Sequence, residues 1–583
     1  MAITPPIIGI DLGTTNSLCA LFRDGKPTLI PNSLGSLMTP SVVGLLDDGQ
    51  IVLGQAAAEL RVTRPERTVS CFKRWIGTNR QVELGGQTFN ANELSSLVLR
   101  SLREDAERFL EHEVTDAVIT VPAYFNDNQR KATKLAGRLA GLNVRRILNE
   151  PTAAALTYGF HDRDVQKNMI VIDLGGGTFD VTVMEIDEGA LEIVSTAGET
   201  QLGGEDFTTR LVGSILQAHG RQLELDEMNH PLFVSRLREQ CEAAKRSLAG
   251  ADAAIVRIPA NDGIIADDCQ SVTLTKSQAR EIFDPLIKRL VRPISRAIRD
   301  ARLSTRDIED VILVGGATRD LAVQSFVAEM FDTKPHATID PDQVVALGAA
   351  VQAALINDDL AVDDMVMTDV CPFTLGVEVA KEFGRKQVSG FYLPIIHRNT
   401  TIPVSKEEIV STIEPNQRQV DLRVYQGESR KVSENLLLGN LLIKGIPPGP
   451  TGQAIHIRFT YDLNGILEVE AYIPETGAKY NTVFTNHVQG MNEREIEAAV
   501  KRMADVKFYP REEMANQRLL LYAEKAIGEV SPFQRGDLEH AVDHFEHAME
   551  SGDREAFGFA KNGLLLLLSG LGFDLEGIDD VSE

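Results

Sequence analysis

Two short segments combine an aspartate with a glycine-rich turn, the residue types that hold phosphates and metal ions. The first is IGIDLGTTNS at 8–17 and the second is VIDLGGGTFD at 171–180. Glycine lets a backbone approach an anion closely, turn amides donate to the anion, and threonine hydroxyls add donors. Asp11 and Asp173 follow strand-like runs, where carboxylates hold Mg²⁺ through its waters. Either segment alone is also compatible with a simple tight turn.

The two segments form an internal repeat. A second apolar run follows each of them, at 18–22 and at 181–186. A repeated strand–turn–strand unit predicts a duplicated domain with two lobes and a cleft between them. The sequence has neither a Walker A motif nor a Rossmann fingerprint, so the commonest alternatives for phosphate binding fail.

The patterning changes twice along the chain. Strand-like runs alternate with helical ones up to about residue 360, which favours an α/β architecture. Short alternating runs then follow, such as 419–425, 454–461 and 465–473, and they favour an all-β domain. The last part is helical, and Pro510 should break or kink its first helix. We predict four segments: an α/β domain at 1–364, a linker at 365–370, an all-β domain at 371–490 and a helical segment at 491–583.

Composition excludes several classes of protein. Lys plus Arg total 59 against 84 for Asp plus Glu, a net charge of −25, and such a surface repels nucleic acid. Five dispersed cysteines argue against a disulfide framework and a cysteine-based zinc site. The apolar run at 563–573 is too short to span a bilayer, and the N-terminus lacks the basic region of a signal peptide. We expect a cytoplasmic protein without a membrane partner.

Further motifs occur in order along nearly the whole chain. They are VPAYFND (121–127), NEPTAAAL (149–156), LGGEDF (202–207), EAAKRSL (242–248), VGGATR (314–319), RNTTIPV (398–404) and YQGE (425–428). Together with the two turns, they resemble the motifs of DnaK-type seventy-kilodalton heat-shock chaperones, and the short form is most similar to the HscC-like specialised bacterial branch. The resemblance implies an actin-like two-lobed ATPase domain, then a β-sandwich that binds peptide, then an α-helical lid.

The resemblance also implies an ATP-hydrolysing site with ATP/ADP, Mg²⁺ and K⁺ as ligands. Its catalytic residues would be Lys73, Glu150, Asp173 and Thr178, and its Mg²⁺ shell would contain Asp11, Asp173 and Glu150. This arrangement suits phosphoryl transfer, which needs positioning and charge stabilisation rather than a covalent nucleophile. Without the motif, a lysine after a phenylalanine is more often a solvated surface residue.

The nucleotide contacts that the resemblance implies are more numerous. They are Gly13, Thr14, Thr15, Gly175, Gly176, Gly177, Gly203, Gly204, Glu242, Lys245, Arg246, Gly315, Gly316, Arg319 and Asp342. A helical Glu-x-x-Lys such as the one that begins at residue 242 is otherwise more often a surface ion pair.

The resemblance assigns interdomain coupling to Pro122, Arg130, Arg146 and Asp369, with a J-domain co-chaperone acting near Arg146, Asn149 and Asp369. The linker departs from the leucine-rich form of the family, because it has Met365, Met367 and a polar Thr368. Less apolar area would be buried when it docks, at about 0.8 kcal/mol per lost CH₂. We therefore predict weaker coupling than in a general chaperone.

The β-domain is expected to bind extended segments of unfolded or client polypeptides through backbone hydrogen bonds and an apolar pocket. By position the pocket would be Val377, Val410, Val420 and Leu422, with Ala380 and Ile413 arching over the peptide. Apolar strand residues are otherwise core by default.

Three alternatives to a general chaperone remain. A regulator with a narrow set of native clients would use the same cycle. A small-molecule kinase on the same fold would not need the residues beyond 370. A nucleotide-exchange factor of the large chaperone subgroup conflicts with the intact Lys73, Glu150 and Thr178. The chaperone itself could also use a separate nucleotide-exchange factor, and it would belong to the stress response.

Overall fold

The chain folds as two compact units, Met1–Pro372 and Phe373–Glu583. The helical run expected after residue 491, with Pro510, lies outside the described residues, and so does Met365. The structure is a computed structural model that describes residues 6–573, apart from 47–48, 162–166, 188–189, 267, 337, 358, 360, 363–365, 385, 464, 485–513, 528–529 and 552–553.

The first unit alternates strands and helices, as the patterning predicts. Its strands are β1 (Ile7–Asp11), β2 (Asn16–Arg23), β3 (Lys26–Ile30), β4 (Thr39–Pro40), β5 (Val42–Leu45), β6 (Ile51–Leu53), β7 (Thr68–Ser70), β8 (Gln81–Leu84), β9 (Gln87–Asn90), β10 (Asp116–Val121), β11 (Asn143–Asn149), β12 (Lys167–Leu174), β13 (Phe179–Asp187), β14 (Ala190–Glu199), β15 (Ala253–Arg257), β16 (Ser271–Thr275), β17 (Asp310–Val314) and β18 (Val366–Val370). Its helices are α1 (Gly54–Thr63), α2 (Ala91–Leu110), α3 (Asp127–Leu139), α4 (Glu150–His161), α5 (Gly204–Ala218), α6 (Leu223–Asn229), α7 (Pro231–Ser247), α8 (Lys276–Asp300), α9 (Leu321–Phe331) and α10 (Val344–Ile356).

Two sheets of matching topology form the lobes of this unit. In the first sheet, of order β11-β10-β1-β2-β3, strand β1 pairs antiparallel with β2 and parallel with β10. In the second, β12 likewise pairs antiparallel with β13 and parallel with β17, and β14 and β18 extend that sheet. The strand–turn–strand repeat is therefore confirmed, and it places Asp11 and Asp173 at equivalent strand ends.

Helices α4 and α10 cross closely between the two sheets. Helix α10 contacts β1 and β2 of the first sheet, whereas α4 contacts β12 and β13 of the second. A Cβ added to Gly348 of α10 would lie 1.7 Å from the carbonyl oxygen of Ala153 in α4. Only glycine fits at this crossing, because the helix backbones nearly touch.

The second unit is a β-sandwich with a helical segment. Its strands are β19 (Leu375–Phe383), β20 (Lys386–Ile396), β21 (Thr401–Ile402), β22 (Val404–Ser411), β23 (Gln419–Gln426), β24 (Leu436–Lys444), β25 (Ala454–Tyr461), β26 (Leu467–Ile473) and β27 (Ala478–Phe484). Its helices are α11 (Met514–Ile527), α12 (Pro532–Ser551) and α13 (Arg554–Gly570).

Two antiparallel sheets, β20-β19-β23-β24 and β22-β25-β26-β27, make up the sandwich. They meet where β24 contacts β27 and where β20 contacts β22. Alternate residues of β25, namely Ile455, Ile457 and Phe459, are fully buried, as expected for strands with one face toward a core. The three helices pack around Leu519, Phe545 and other buried side chains, and α12 also contacts β22.

The helix crossing yields a stability prediction. We expect Gly348→Ala to lower the free energy of unfolding of the first unit by about 3 kcal/mol, because the added methyl group overlaps a backbone carbonyl that cannot rotate away. Urea unfolding followed by the fluorescence of Trp75, the single tryptophan, measures the change.

Gly213→Ala in α5 is the matched control, because a Cβ there meets nothing within 4 Å. That change should stabilise the unit by about 0.5–1 kcal/mol. Equal stability of the two variants would contradict the close crossing.

Candidate functional site

A cleft lies where the two glycine-rich turns meet. Most of the expected nucleotide and catalytic residues line the cleft. Five further lining residues were not predicted from the sequence: Asn16, Leu18, Val314, Pro341 and Val345. The expected residues that line it are Asp11, Gly13, Thr14, Thr15, Lys73, Glu150, Asp173, Gly175, Gly176, Thr178, Gly315, Gly316 and Asp342.

Lys73 and Glu150 form a buried ion pair at this cleft. The Lys73 Nζ donates to Glu150 Oε1 at 2.5 Å, and the side chains are only 3% and 9% exposed. Lys73 lies on a single 3-10 turn, Phe72–Trp75, and Glu150 is the first residue of α4. The alternative of a solvated surface lysine is therefore wrong for Lys73.

Three aspartates surround that pair. Burial, reinforced by the nearby charge of Glu150, raises the pKa of Asp11 to about 7 and that of Asp180 to about 8. The same causes raise the pKa of Asp173 well above its usual value. The ammonium of Lys73 opposes each shift without cancelling it. The site therefore holds excess carboxylate, which suits a bound cation.

Asp180 was missed by the sequence analysis as a site residue. It pairs directly with Asp173 across strands β12 and β13, and it accepts a hydrogen bond from the Tyr124 amide at 3.1 Å. The sequence signal for it is the second aspartate of VIDLGGGTFD. The turn between the two aspartates brings the chain back to the same edge of the sheet.

The turns from the two lobes face each other closely enough to admit only glycine. A Cβ on Gly176 would lie 2.5 Å from the Thr15 side chain, and one on Gly177 would lie 2.6 Å from the Thr14 side chain. Backbone amides from both turns can thus reach one anion between them. The carboxyl groups and these amides fit a Mg²⁺–phosphate group.

Several expected nucleotide contacts do not line the cleft. Lys245 donates to the Gly204 carbonyl at 2.9 Å and pairs with Glu242 at 2.6 Å. Burial alone would raise the pKa of Glu242, but Lys245 and Arg246 hold it at about 2. Gly177 and Gly203 lie behind the lining. Arg319 pairs with the lining residue Asp342 at 3.0 Å.

The residues expected to couple the domains form a chain of hydrogen bonds. Arg130 donates to the Asn149 side-chain oxygen at 2.6 Å, and Asn149 donates to Asp369 at 3.0 Å. Burial raises the pKa of Asp369, an effect that Arg146 and Arg130 oppose. Pro122 immediately follows β10. The chain ends beside the ion pair, because Asn149 precedes Glu150.

The last linker residues form strand β18. It pairs parallel with β14, with Met367 opposite Leu191 and Thr368 opposite Glu192. Met367 is half-buried against the core that the crossing helices share. A linker expected from composition alone is thus an ordered strand in the first unit.

The expected peptide-site residues differ in exposure. Val377 and Leu422 are buried, Val410 and Val420 are half-buried, and Ile413 is 39% exposed. The first pair lies on adjacent strands of one sheet, whereas Val410 lies on β22 of the other. The remaining residue, Ala380 on β19, falls where the pairing register with β20 shifts. Such bulges re-aim side chains and are frequent beside binding sites.

A known protein family matches most of the chain. The sequence matches the family model described as Hsp70 protein over residues 7–83 and 78–529, which is most of the chain. The chain belongs to the Hsp70 family. Hsp70 proteins are chaperones that bind ATP or ADP with Mg²⁺ and hydrolyse ATP, so chaperone function and ATPase activity follow at the level of the family. Among the described residues of this Hsp70 protein, no helix is long and apolar enough to cross a bilayer.

The buried ion pair yields a second prediction. Lys73→Met leaves Glu150 buried without its partner, so it should lower the stability of the nucleotide-free protein by about 3–5 kcal/mol. Adding Glu150→Gln should recover most of that loss. Urea unfolding of the single and double variants, without nucleotide or divalent cation, measures both.

Lys276→Met is the control, since this lysine forms an exposed pair with Asp252. Its removal should change stability by less than about 0.5 kcal/mol. A double variant no more stable than Lys73→Met would contradict a specific pairing.

Proposed function

We propose that this Hsp70 protein is an ATP-driven peptide-binding chaperone of the HscC-like specialised branch. It binds extended apolar segments of client polypeptides, releases them when ATP binds, and hydrolyses ATP slowly under stimulation by a J-domain co-chaperone. It acts in the cytoplasm as part of the stress response. The observation that carries this proposal is the ion pair of Lys73 with Glu150, placed beside Asn149 and so beside the strand formed by the linker.

Each residue of the cleft has a separate task in hydrolysis. When bound, ATP supplies the phosphoryl group and Mg²⁺ neutralises charge on it. Glu150 is held by Lys73 and orients the attacking water, and the Lys73 ammonium stabilises negative charge on the phosphoryl oxygens. The Thr178 hydroxyl and the amides of the second turn add donors preorganised for that charge. Water attacks the γ-phosphorus as the bond from that phosphorus to the β–γ bridging oxygen breaks. ADP leaves with the electron pair of that bond, inorganic phosphate is the second product, and the water's proton passes to solvent.

The linker strand connects this chemistry to the peptide unit. Asp369 accepts two hydrogen bonds from Asn149, and Arg130 holds Asn149 from the other side. A change at the linker therefore reaches the backbone that begins α4 and carries Glu150. Arg146 lies near the same carboxylate, a suitable place for a J-domain to act.

One end of the sandwich presents apolar side chains to solvent. Strand β23 runs antiparallel to β19, with Val377 opposite Val424, so the β19–β20 connection and the β22–β23 loop lie at the same end. Phe383, Val388 and Ile413 are 57%, 43% and 39% exposed there. Gln417 accepts from the Ile413 amide at 2.9 Å and orders the loop. This end is the proposed client site.

A narrower function, that of a regulator with few native clients, has separate support. The linker strand contains the flexible side chain of Met367 and the polar Thr368, opposite Leu191 and Glu192 of β14. Weak coupling suits a regulator that holds a few native clients in a nucleotide-dependent way. Both versions share the ATPase, and an array of client peptides distinguishes them.

The client cycle is tested by peptide release. We expect ATP to accelerate the release of a fluorescent hydrophobic heptapeptide at least tenfold relative to ADP, as measured by anisotropy. Thr178→Ala should slow hydrolysis by about tenfold or more and keep ATP-triggered release. Ile413→Asn should weaken peptide binding by about fivefold, because an apolar contact is lost.

Leu437→Asn is the control for the client site. Leu437 is 52% exposed and pairs with Tyr425 at the end of β23 that is remote from the β22–β23 loop, so the change should leave peptide affinity unaltered. Tight binding with no ATP effect would point to a decoupled regulator, and absence of peptide binding would remove the proposed client site.

The linker contact yields a separate prediction. Asp369→Ala removes a buried carboxylate that accepts from Asn149, so the ATP acceleration of peptide release should fall about tenfold or more. Met367→Leu should increase the acceleration, because a stiffer side chain packs against Leu191. Stopped-flow anisotropy measures both effects. Glu192→Gln is the control, because Glu192 is an exposed residue opposite Thr368, and it should leave the acceleration of peptide release unchanged. An effect equal to that of Asp369→Ala would contradict the proposed role of the Asn149–Asp369 hydrogen bonds.

A further inference from the structure

The carbonyl groups of the second glycine-rich turn all point to donors behind the turn. The Gly175 carbonyl accepts from the Gly204 amide at 2.9 Å, and the Gly176 carbonyl accepts from the Glu205 amide at 2.9 Å. Both donors belong to the first turn of α5, whose free amides would otherwise face an anion or solvent. Helix α5 therefore serves as a support for the turn rather than as the anion site itself.

The third carbonyl has a different kind of partner. Gly177 accepts from the Arg74 Nε at 3.1 Å. The same guanidinium donates to both oxygens of Asp206, at 3.2 and 2.5 Å, and Asp206 in turn accepts from the Gly203 amide at 2.8 Å. The Arg74 side chain is 14% exposed, so these bonds are largely shielded from water. One arginine thus closes a network with the turn and the start of α5.

Arg74 belongs to the other lobe. It follows Lys73 on the 3-10 turn Phe72–Trp75, which packs with the first sheet, whereas Gly177 and Asp206 belong to the second. The two α5 donors stay with the turn however the lobes move. The Arg74 bond can form only when the lobes are closed on each other.

Peptide geometry connects this bond to the cleft. In a trans peptide the N–H points away from the C=O of the preceding residue. Holding the Gly177 carbonyl behind the turn therefore directs the Thr178 N–H toward the cleft, which Thr178 lines. A donor held in advance stabilises developing charge more than one that must reorient.

We propose that Arg74 is a positioning residue that completes the phosphate-facing turn only when the lobes close, and that it sets Lys73 and the turn in register with each other. This inference rests on the proposed ATP hydrolysis. Arg74 does not line the cleft, and it acts through the Gly177–Thr178 peptide and through its neighbour in sequence. Asp206 fixes the guanidinium in place.

Single-turnover hydrolysis of saturating ATP by the full chain tests the inference. Arg74→Ala should lower the rate at least tenfold and change the dissociation constant for ADP less than threefold, since the turn amides still meet a bound anion. Arg74→Lys should recover only part of the rate, because an ammonium lacks the planar fork of donors that reaches the carbonyl and both carboxylate oxygens at once. Asp206→Asn should cost much less in the Arg74→Ala background than alone.

Arg80→Ala is the matched control, since Arg80 stacks on Trp75 of the same turn, 3.8 Å from the ring centre, but makes no contact with α5. It should hydrolyse ATP at the parental rate. A rate for Arg74→Ala within twofold of the parent, or equal losses in Arg74→Ala and Arg80→Ala, would overturn the role. A parent chain that binds ADP and does not hydrolyse ATP would instead overturn the proposed ATPase, and this inference with it.

Discussion

A cluster of buried carboxyl groups at the floor of one cleft is the constraint on which the first unit depends. Glu150, Asp173 and Asp180 are buried beside Asp11, with the ammonium of Lys73 among them. Burying charge is costly unless opposite charge or hydrogen bonds compensate it. Each carboxylate is accordingly fixed by rigid structure: strand ends hold the aspartates, and the first residue of a helix holds the glutamate. The fold supplies the stiffness that keeps these carboxyl groups together when no cation is bound.

Much of this cleft could be predicted from the sequence because its parts are local. A strand, an aspartate and a glycine turn lie within ten residues, and the repeat of that pattern at 171–180 predicts the second lobe. The role of Lys73 came from a motif and could not come from spacing, since the residue lies far along the chain from Glu150. The family match establishes the broad function. The burial of Lys73 depends on tertiary packing, so only the structure shows it.

Other parts escaped prediction for physical reasons. Asp180 and Arg74 act through backbone groups of the partner lobe, and a sequence does not show which amide or carbonyl a side chain will meet. The linker was predicted from the change in patterning and from the resemblance, and neither shows that its residues pair with β14 as a strand. In the sandwich, inward and outward faces alternate, but the sequence does not indicate which inward residues meet a client.

The adjacency of Asn149 and Glu150 has an evolutionary consequence. One peptide bond separates the residue that binds the linker strand from the residue paired with Lys73. In the proposed cycle, the signal between the units therefore enters the first unit through a single carboxylate, Asp369. On that proposal, substitutions in the sandwich and its helices change the clients without altering the residues that contact the linker strand.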